Sequence, residues 1–278
     1  MAARSIGEAL AEGRKALSTR SATAGLDAHM LLAEVIGARR EHLLAHPEDP
    51  LGPDQQAAFL SGLGRLVSGE PLPYVLGWRE FYGRRFDVTP AVLIPRPETE
   101  LLVDEALKLG RSHAAHHRLI DLGTGSGCLA ITLALELPDS RPLATDVSRE
   151  ALRVARANAA RHRVQDRIDF LCLDLALGLE LRRATVVANL PYVSAEEAGR
   201  LAYEPRLALE AGADGLLLLR RLLAQLGRRA PVDTTVLLEI GAGQSARLPD
   251  ILPAACAPRR TWFVQDLAGH DRILGLEF

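Results

Sequence analysis

Hydrophobic positions in the first 70 residues recur at helical spacing. Apolar side chains at 6–17 and again at 31–36 return every three or four residues, so each stretch has one apolar face. Gly37 ends the second stretch, and Pro53 suits the first turn of a further helix, where a proline is tolerated. The pattern predicts a helical domain over residues 1–70.

The helical period is lost after residue 70, and aromatic residues and prolines take its place. Short runs on either side of Gly83 predict two strands joined by a turn. Pro95 and Pro97 hold the residues before them extended, and Pro97 also suits the opening of the next helix. We therefore expect residues 71–97 to form a β-hairpin connector.

From residue 118 onward, short apolar runs alternate with amphipathic segments. Such alternation predicts an α/β, Rossmann-like domain over 98–278, with a mainly parallel sheet and helices on both faces. The last two runs have no helix between them and predict an antiparallel pair at one edge. The expected strands are 118–122, 142–146, 167–173, 184–189, 234–240, 260–265 and 271–277, and the expected helices are 127–137, 148–161, 215–228 and 243–254.

Charge and composition narrow the possible partners. The 278 residues carry a formal net charge of −2, so no overall basic field draws the chain to nucleic acid. Residues 1–15 lack the apolar core of a signal peptide, and no apolar run reaches the ~18 residues that span a bilayer. Cys128, Cys172 and Cys256 are isolated in sequence, which fits a reducing compartment. We expect a cytoplasmic protein without a membrane partner, and the oligomeric state stays open.

A glycine-rich turn follows the first strand of the α/β domain. A dinucleotide-binding turn would place its third small residue at position 128, which is Cys128. Alternate glycines after the acidic Asp121 are instead typical of proteins that bind S-adenosylmethionine (SAM), and an ordinary tight turn is the alternative. The predicted cofactor-binding residues of this turn are Gly123, Thr124, Gly125, Ser126 and Gly127.

Two acidic residues fall where the next two strands end. Ligands of open α/β sheets lie at the carboxyl ends of the strands, so both are candidates. Asp146 can accept hydrogen bonds from the hydroxyls of a ribose; the alternative is a helix cap, a role that Ser148 can also fill. Asp174 can accept from an adenine amino group, and Leu175 beside it offers an apolar wall and a backbone N–H.

The fourth strand ends in Asn189-Leu190-Pro191-Tyr192, which we predict to be the catalytic residues. The asparagine amide offers an acceptor for the hydrogens of a planar NH2 group. Pro191 keeps Leu190 extended, so that its carbonyl can face the same group, and Tyr192 can lie against a planar amide or base.

Methyl transfer to a positioned nitrogen requires no metal ion, and we expect none. His113, His116 and His117 have a spacing that could bind a metal, but no carboxylate or cysteine accompanies them.

With these residues in view, the chain resembles the peptide chain release factor glutamine methyltransferases, the PrmC or HemK family. The resemblance implies a helical N-terminal domain that docks the substrate, a β-hairpin and a class I SAM-dependent methyltransferase domain. It also implies methylation of the side-chain amide of the glutamine in the Gly-Gly-Gln motif of release factors. The strings that carry it are residues 70–77, 81–83, 93–100, 121–127, 203–209, 212–216, 238–241 and 266–272.

One departure from the family concerns Leu190, where the family usually has proline. The functional group there is a backbone carbonyl, which leucine keeps, so we expect activity to survive. Two alternatives remain open at this point: an adenine amino-methyltransferase acting on rRNA or DNA, and a non-catalytic SAM-binding protein. The near-neutral charge disfavours the first, and the retained Asn189 and Tyr192 disfavour the second.

Overall fold

The computed structural model describes residues 4–112, 118–199, 203–229, 231–252 and 257–278. The chain divides into two compact units, Met1–Trp78 and Arg79–Phe278. The boundary falls inside the stretch 71–97 that the sequence assigns to a connector. None of the described helices is long and apolar enough to cross a membrane. The histidines at 113, 116 and 117 lie outside the described residues.

The first unit is helical, as predicted. Ser5 begins the first helix with a capping box, Gly37 ends the second in the left-handed conformation, and Pro53 opens the fourth. The apolar faces of these helices meet around the buried Phe59 and Leu32. The helices are α1 (Ile6–Leu17), α2 (Ala24–Ile36), α3 (Arg40–Ala45), α4 (Pro53–Val67) and α5 (Leu72–Leu76).

The sequence did not predict α3 or α5. Six residues of α3 are too few to show a period. Pro73 pointed to a break, yet it stands in the first turn of α5, where its missing N–H would have had no partner in the helix.

The expected hairpin is confirmed as β1 (Trp78–Phe81) and β2 (Arg84–Asp87). Its two turn residues, Tyr82 and Gly83, have φ values of 52° and 68°. Positive φ at both central residues matches the twist of a two-residue hairpin, and glycine adopts it without strain.

The second unit is built on one sheet that is mainly parallel. Its order within the described residues is β5-β4-β3-β6-β7-β9-β8, and only the pairings of β9 are antiparallel. The chain moves outward from β3 in one direction and from β6 in the other, which creates a crevice between these two neighbours. The strands are β3 (Arg118–Leu122), β4 (Leu143–Asp146), β5 (Asp169–Cys172), β6 (Arg182–Ala188), β7 (Val232–Glu239), β8 (Arg260–Gln265) and β9 (Asp271–Glu277).

Both faces of the sheet are covered, because successive side chains of β6 and β7 enter opposite apolar clusters. Val186 and Leu238 belong to one cluster, whereas Val187 and Leu237 belong to the other. The helices of this unit are α6 (Glu100–Ser112), α7 (Cys128–Glu136), α8 (Arg149–Arg161), α9 (Ala195–Ala198), α10 (Leu217–Arg229) and α11 (Leu248–Ile251).

The single helix predicted over 243–254 is wrong. A 3-10 turn (Gln244–Arg247) is followed by the short α11. Pro249 has no N–H to continue an α-helix from the preceding turn, so a new helix starts around it. Residues 253 and 254 lie outside the described part of the chain.

Two glycines of α4 give a matched test of packing in the helical unit. A Cβ on Gly62 would lie 2.7 Å from Cδ1 of the buried Leu31, whereas a Cβ on Gly64 would meet open space. Gly64→Ala should stabilise the unit by about 0.5–1 kcal/mol through helix propensity. Gly62→Ala should lower the melting temperature despite the same propensity gain, because overpacking costs about 1–3 kcal/mol. Thermal unfolding followed by circular dichroism checks both; equal melting temperatures would contradict the packing.

Candidate functional site

A cavity of about 390 Å³ lies at the carboxyl ends of the parallel strands. Its walls come from the segments that follow β3, β4, β5 and β6, which is where the topology places the crevice. Gly127 and Tyr192 are the two predicted site residues that do not line it. The predicted residues that do are Gly123, Thr124, Gly125, Ser126, Asp146, Asp174, Leu175, Asn189, Leu190 and Pro191.

The glycine turn is held by hydrogen bonds from its N–H groups to the end of β4. The N–H groups of Gly123 and Thr124 both donate to the carbonyl of Thr145 at 2.8 Å, and Gly125 N–H donates to Asp146 Oδ2 at 3.0 Å. All three glycines have positive φ, which explains the residue type at those positions. These N–H groups are therefore committed within the protein, and the turn contributes a shaped backbone wall.

Gly127 serves packing and does not face the cavity. A Cβ there would lie 2.8 Å from Cδ1 of Ile131 and 3.1 Å from Cβ of Ala155. Since Ile131 belongs to α7 and Ala155 to α8, the missing side chain lets the two helices approach each other.

Asp121 is the buried foundation of the turn. Its Oδ2 accepts from Thr124 Oγ1 at 2.6 Å and from Ala130 N–H at 3.2 Å. Its Oδ1 has no hydrogen-bond partner within the described part of the chain. Burial raises the pKa of this carboxyl to about 7, with a smaller contribution from the negative charge of Asp146.

Asp146 closes the turn from the neighbouring strand. Its second oxygen, Oδ1, accepts from Ser148 N–H at 2.8 Å, and burial raises the pKa of its carboxyl. The cap of α8 is Ser148, whose Oγ accepts from Ala151 N–H at 3.2 Å. Ser148 therefore caps the helix, which was the alternative role for Asp146. The Asp146 carboxylate remains at the cavity wall.

Asp174 and Leu175 form the opposite side of the cavity. The Asp174 carboxylate makes an ion pair with Arg221, and both residues line the cavity. Leu175 is buried although its φ is 52°, a left-handed conformation that is costly for a residue with a Cβ. The chain therefore accepts backbone strain to place an apolar side chain there.

The segment after β6 is fixed at several points. Asn189 Nδ2 donates to Thr99 Oγ1 at 2.9 Å, and the side chain of Leu190 is buried against Gly123. The hydroxyl of Tyr192 donates to Glu239 Oε1 at 3.3 Å. Burial, reinforced by the Glu239 carboxylate, raises the pKa of Tyr192 to about 12, so the phenol keeps its proton.

Three residues that sequence reasoning missed support this arrangement. Thr99, at the cavity wall, accepts from Asn189, and Glu239 accepts from Tyr192. The fully buried Asn158 donates to the carbonyls of Ser126 and Asp87. Glu239 ends β7, so the rule that polar residues at strand ends are candidates applies to Glu239 as it did to Asp146. The predicted strand extended through residue 240, which placed Glu239 inside the strand. The sequence signal for Asn158 was its position as a polar residue on the apolar face of α8.

A further contact ties two loops at the mouth of the cavity. Glu204 is buried and accepts from Arg96 Nη2 at 2.6 Å and from Ile94 N–H at 3.4 Å. Because Pro205 and Leu207 line the cavity, this ion pair positions one of its walls. The sequence indicated no individual role for Arg96 or Glu204, which belong to the strings 93–100 and 203–209 that carry the family resemblance.

The residues around the cavity fit SAM. Asp146 supplies a carboxylate for hydroxyl groups, Leu175 and Val147 supply apolar walls for a flat ring, and the open space at Gly125 admits a ligand against the backbone. A volume of about 390 Å³ lies within the usual range of small-molecule sites.

Comparison with known proteins agrees with this geometry. A model of the PrmC N-terminal domain matches residues 8–77, and a model of the methyltransferase small domain matches residues 97–212. The chain is 41% identical over 256 residues to the release factor glutamine methyltransferase of Bordetella pertussis, covering 90% of this chain and 93% of that protein. Identity to the release factor glutamine methyltransferase of Koribacter versatilis is 37%, with 90% and 89% covered.

Solved structures share the fold. The hMettl16 catalytic domain in complex with MAT2A 3'UTR hairpin 6 has a TM-score of 0.56 at 19% identity, covering 81% of both chains. Together, the Rossmann-like sheet and the cavity at its carboxyl edge define a class I SAM-dependent methyltransferase. The relatives then specify the branch: this chain belongs to the family of release factor glutamine methyltransferases.

Asp121→Asn should isolate the cost of burying a carboxyl group. Since its pKa rises from 3.8 to about 7 on folding, the unfolded chain ionises first and the native protein loses stability as the pH rises between these values. The variant lacks this loss. Its free energy of unfolding relative to wild type should rise from about pH 4 to about pH 7, by about 1.4 kcal/mol per pKa unit. Urea unfolding across that range measures it.

Asp214 provides a control of opposite sign. The hydrogen bond from Arg220 lowers the pKa of Asp214 to about 2, so its contribution is present at neutral pH and lost as the pH falls through that value. Asp214→Asn should be less stable than wild type at neutral pH, and the gap should close in acid. The same pH dependence in both variants would contradict burial as the cause of the Asp121 shift.

Proposed function

We propose that this protein transfers a methyl group from SAM to the side-chain amide nitrogen of the glutamine in the Gly-Gly-Gln motif of peptide chain release factors. The observation that carries the proposal is the placement of Asn189. It lines the cavity at the end of β6, and its Nδ2 is taken by Thr99. The amide oxygen Oδ1 is therefore the end available to a substrate NH2 group. Family membership supplies the identity of the acceptor protein.

SAM, when bound, supplies a methyl group on a positively charged sulfur. An amide nitrogen is a weak nucleophile, because its lone pair is delocalised into the carbonyl. Asn189 Oδ1 accepts one of its hydrogens and thereby orients the lone pair and stabilises the positive charge that develops on nitrogen. Pro191 restrains the backbone at Leu190, whose carbonyl is the second acceptor. Tyr192 does not line the cavity, and it holds this segment through its hydrogen bond to Glu239. The proposed catalytic set is therefore Asn189, Leu190 and Pro191.

The cofactor is held by Gly123 to Ser126 of the glycine turn, together with the acidic ends of the next two strands, while Gly127 packs the turn against α8. Asp146 binds the ribose hydroxyls with the lone pairs left by its two backbone donors. Asp174, paired with Arg221, accepts from the adenine amino group, and Leu175 packs on the ring. Asn189 borders the methyl donor on the substrate side.

The helical domain, residues 1–70, docks the release factor, and the connector 71–97 joins it to the catalytic domain 98–278. The match of residues 8–77 to the PrmC N-terminal domain supports a role for this unit within the family. The reaction takes place in the cytoplasm and requires no direct contact with nucleic acid, in keeping with a net charge of −2.

The decisive experiment offers two substrates to the purified protein with labelled SAM. Mass spectrometry of a release-factor peptide should reveal one added methyl on the glutamine, and stripped rRNA should stay unlabelled. Label on adenine of the RNA and none on the peptide would replace this proposal with adenine amino-methylation. Binding of SAM without label on either would favour a non-catalytic binder.

Asn189→Ala should lower kcat for the release-factor peptide by roughly 100-fold or more, since one positioned group of this kind is worth about that much. SAM should still bind measurably, because the turn and Asp146 are unchanged. Gln165→Ala, an exposed side chain that does not line the cavity, is the control and should keep wild-type turnover. Unchanged turnover in the Asn189 variant would remove it from the mechanism.

Asp146→Ala should weaken SAM binding about tenfold or more, because a charged acceptor for the ribose hydroxyls is worth about 1.5–3 kcal/mol. Its removal also frees the Gly125 N–H, which loosens the glycine turn. Titration calorimetry with SAM measures the change, with Asp166→Ala as the exposed control. Native affinity in the Asp146 variant would reject the ribose assignment.

A further inference from the structure

Behind Asn189 a short chain of polar side chains leads into the protein. Asn189 Nδ2 donates to Thr99 Oγ1 at 2.9 Å, and the Thr99 hydroxyl lies near enough to the Glu239 carboxylate to lower the pKa of that group. Thr99 is 2% exposed and Glu239 is 5% exposed. Tyr192 donates to the same carboxylate from the other side. The mechanism described above uses Thr99 only as the partner of Asn189 Nδ2, and it assigns no role to Glu239.

We propose that Thr99 and Glu239 are positioning residues that fix which end of the Asn189 amide faces the substrate, so that the site accepts a carboxamide and rejects a carboxylate. The inference rests on the proposed function and deepens it, because it names what separates glutamine from glutamate at this site.

The argument starts from the hydroxyl of Thr99, which has one proton to give. An ionised carboxylate is an acceptor only, so Glu239 takes that proton in a hydrogen bond. The oxygen of Thr99 can then only accept from Asn189, and it therefore selects Nδ2. The opposite end of the amide, Oδ1, is left for the cavity.

The two ends of an asparagine amide select opposite substrates. Oδ1 toward the cavity attracts the N–H of a carboxamide and repels a carboxylate. A reversed amide would donate to a carboxylate and would place two donors against each other when a glutamine arrives. A fixed orientation of the Asn189 amide therefore selects a carboxamide over a carboxylate and also assists catalysis.

The surroundings of Glu239 make this device sensitive to pH. Burial is the largest influence on the carboxyl of Glu239 and raises its pKa, as does the negative charge of Glu98. Thr99, Tyr192 and Arg272 act to lower it, and the resulting pKa is about 7. The thiol of Cys128, on α7, also senses the charge of Glu239. Oε2 of Glu239 has no hydrogen-bond partner among the residues that the structure describes, so a proton can bind there without displacing one.

Protonation removes the negative charge of Glu239. A neutral carboxyl holds the Thr99 proton less firmly, which frees that proton for Oδ1 of Asn189 and permits the reversed amide. Turnover by the wild-type protein should accordingly fall as the pH drops through the region of this pKa, while the affinity for SAM changes less.

The experiment compares Thr99→Val, which keeps the shape and removes the hydroxyl, with Thr99→Ser, which restores a hydroxyl. For the release-factor peptide, kcat in the Val variant should drop by about 10- to 100-fold, since loss of orientation costs this much. Thr99→Ser should recover most of that loss. The inhibition constant of the matching peptide with glutamate for glutamine should fall relative to wild type in the Val variant. SAM affinity and melting temperature show that each variant is folded.

Glu239→Gln supplies an independent readout, because its side chain does not titrate. Wild-type kcat between about pH 5.5 and pH 8.5 should rise with the ionisation of Glu239, whereas the variant should be slower at high pH and should lose that part of the pH dependence. Asp121, whose pKa is also raised to about 7, titrates in both proteins, so its effect cancels in the ratio of their kcat values. A purely structural role for Glu239 would lower activity without removing this ionisation.

The outcomes separate the inference from the function on which it rests. A wild-type protein that leaves the peptide unmethylated overturns the proposed function and this inference with it. An active wild type overturns the inference alone if Thr99→Val keeps wild-type kcat, or if Glu239→Gln keeps the wild-type pH profile.

Discussion

The hydrogen bond from Asn189 to Thr99 joins parts of the chain that are 90 residues apart, and the arrangement of the site depends on it. Asn189 follows β6, whereas Thr99 lies in the 3-10 turn Pro97–Thr99 that precedes α6. Helix α6 packs against β6 and β7, which sets that turn over the carboxyl ends of both strands. The parallel register of β3, β6 and β7 then brings Gly123, Asn189 and Glu239 to one level. A cavity wall, the asparagine that we propose to bind the substrate amide and a buried carboxylate thus meet at one edge of the sheet.

This edge is costly to the fold. Two carboxyl groups, Asp121 and Glu239, are buried with pKa values raised to about 7, and each has one oxygen without a partner in the described residues. Leu175 adds a strained backbone at the cavity wall. The apolar clusters on the two faces of the sheet offset such costs, so groups that would each destabilise an isolated element persist together. These three departures from local rules lie where the chemistry is expected.

Much of the fold was readable from the sequence, because its signals are local. The strands β3, β8 and β9 match their predicted bounds, and Gly37, Gly83 and Ser148 act in the ways that their residue types predict. The cavity residues were also accessible, since polar groups at strand ends follow one rule. Glu239 obeys the same rule, but a strand end misplaced by one residue concealed it. The Thr99 contact had no local signal, because it depends on where α6 lies in the folded chain.

Leu190 poses the sharpest question of local structure, because proline at this position would restrain the backbone by itself. In this chain, burial of the Leu190 side chain restrains the segment instead. The side chain packs on Gly123, where a Cβ would lie 3.4 Å from Leu190 Cδ2. Further along, the carbonyl of Tyr192 accepts from Gln244 Nε2 at 3.4 Å, and a Cβ on Gly215 would lie 2.3 Å from that carbonyl oxygen. The segment after β6 is therefore held by contacts on several sides. Tertiary packing thus restrains the backbone at Leu190, where a proline would restrain it through its own ring.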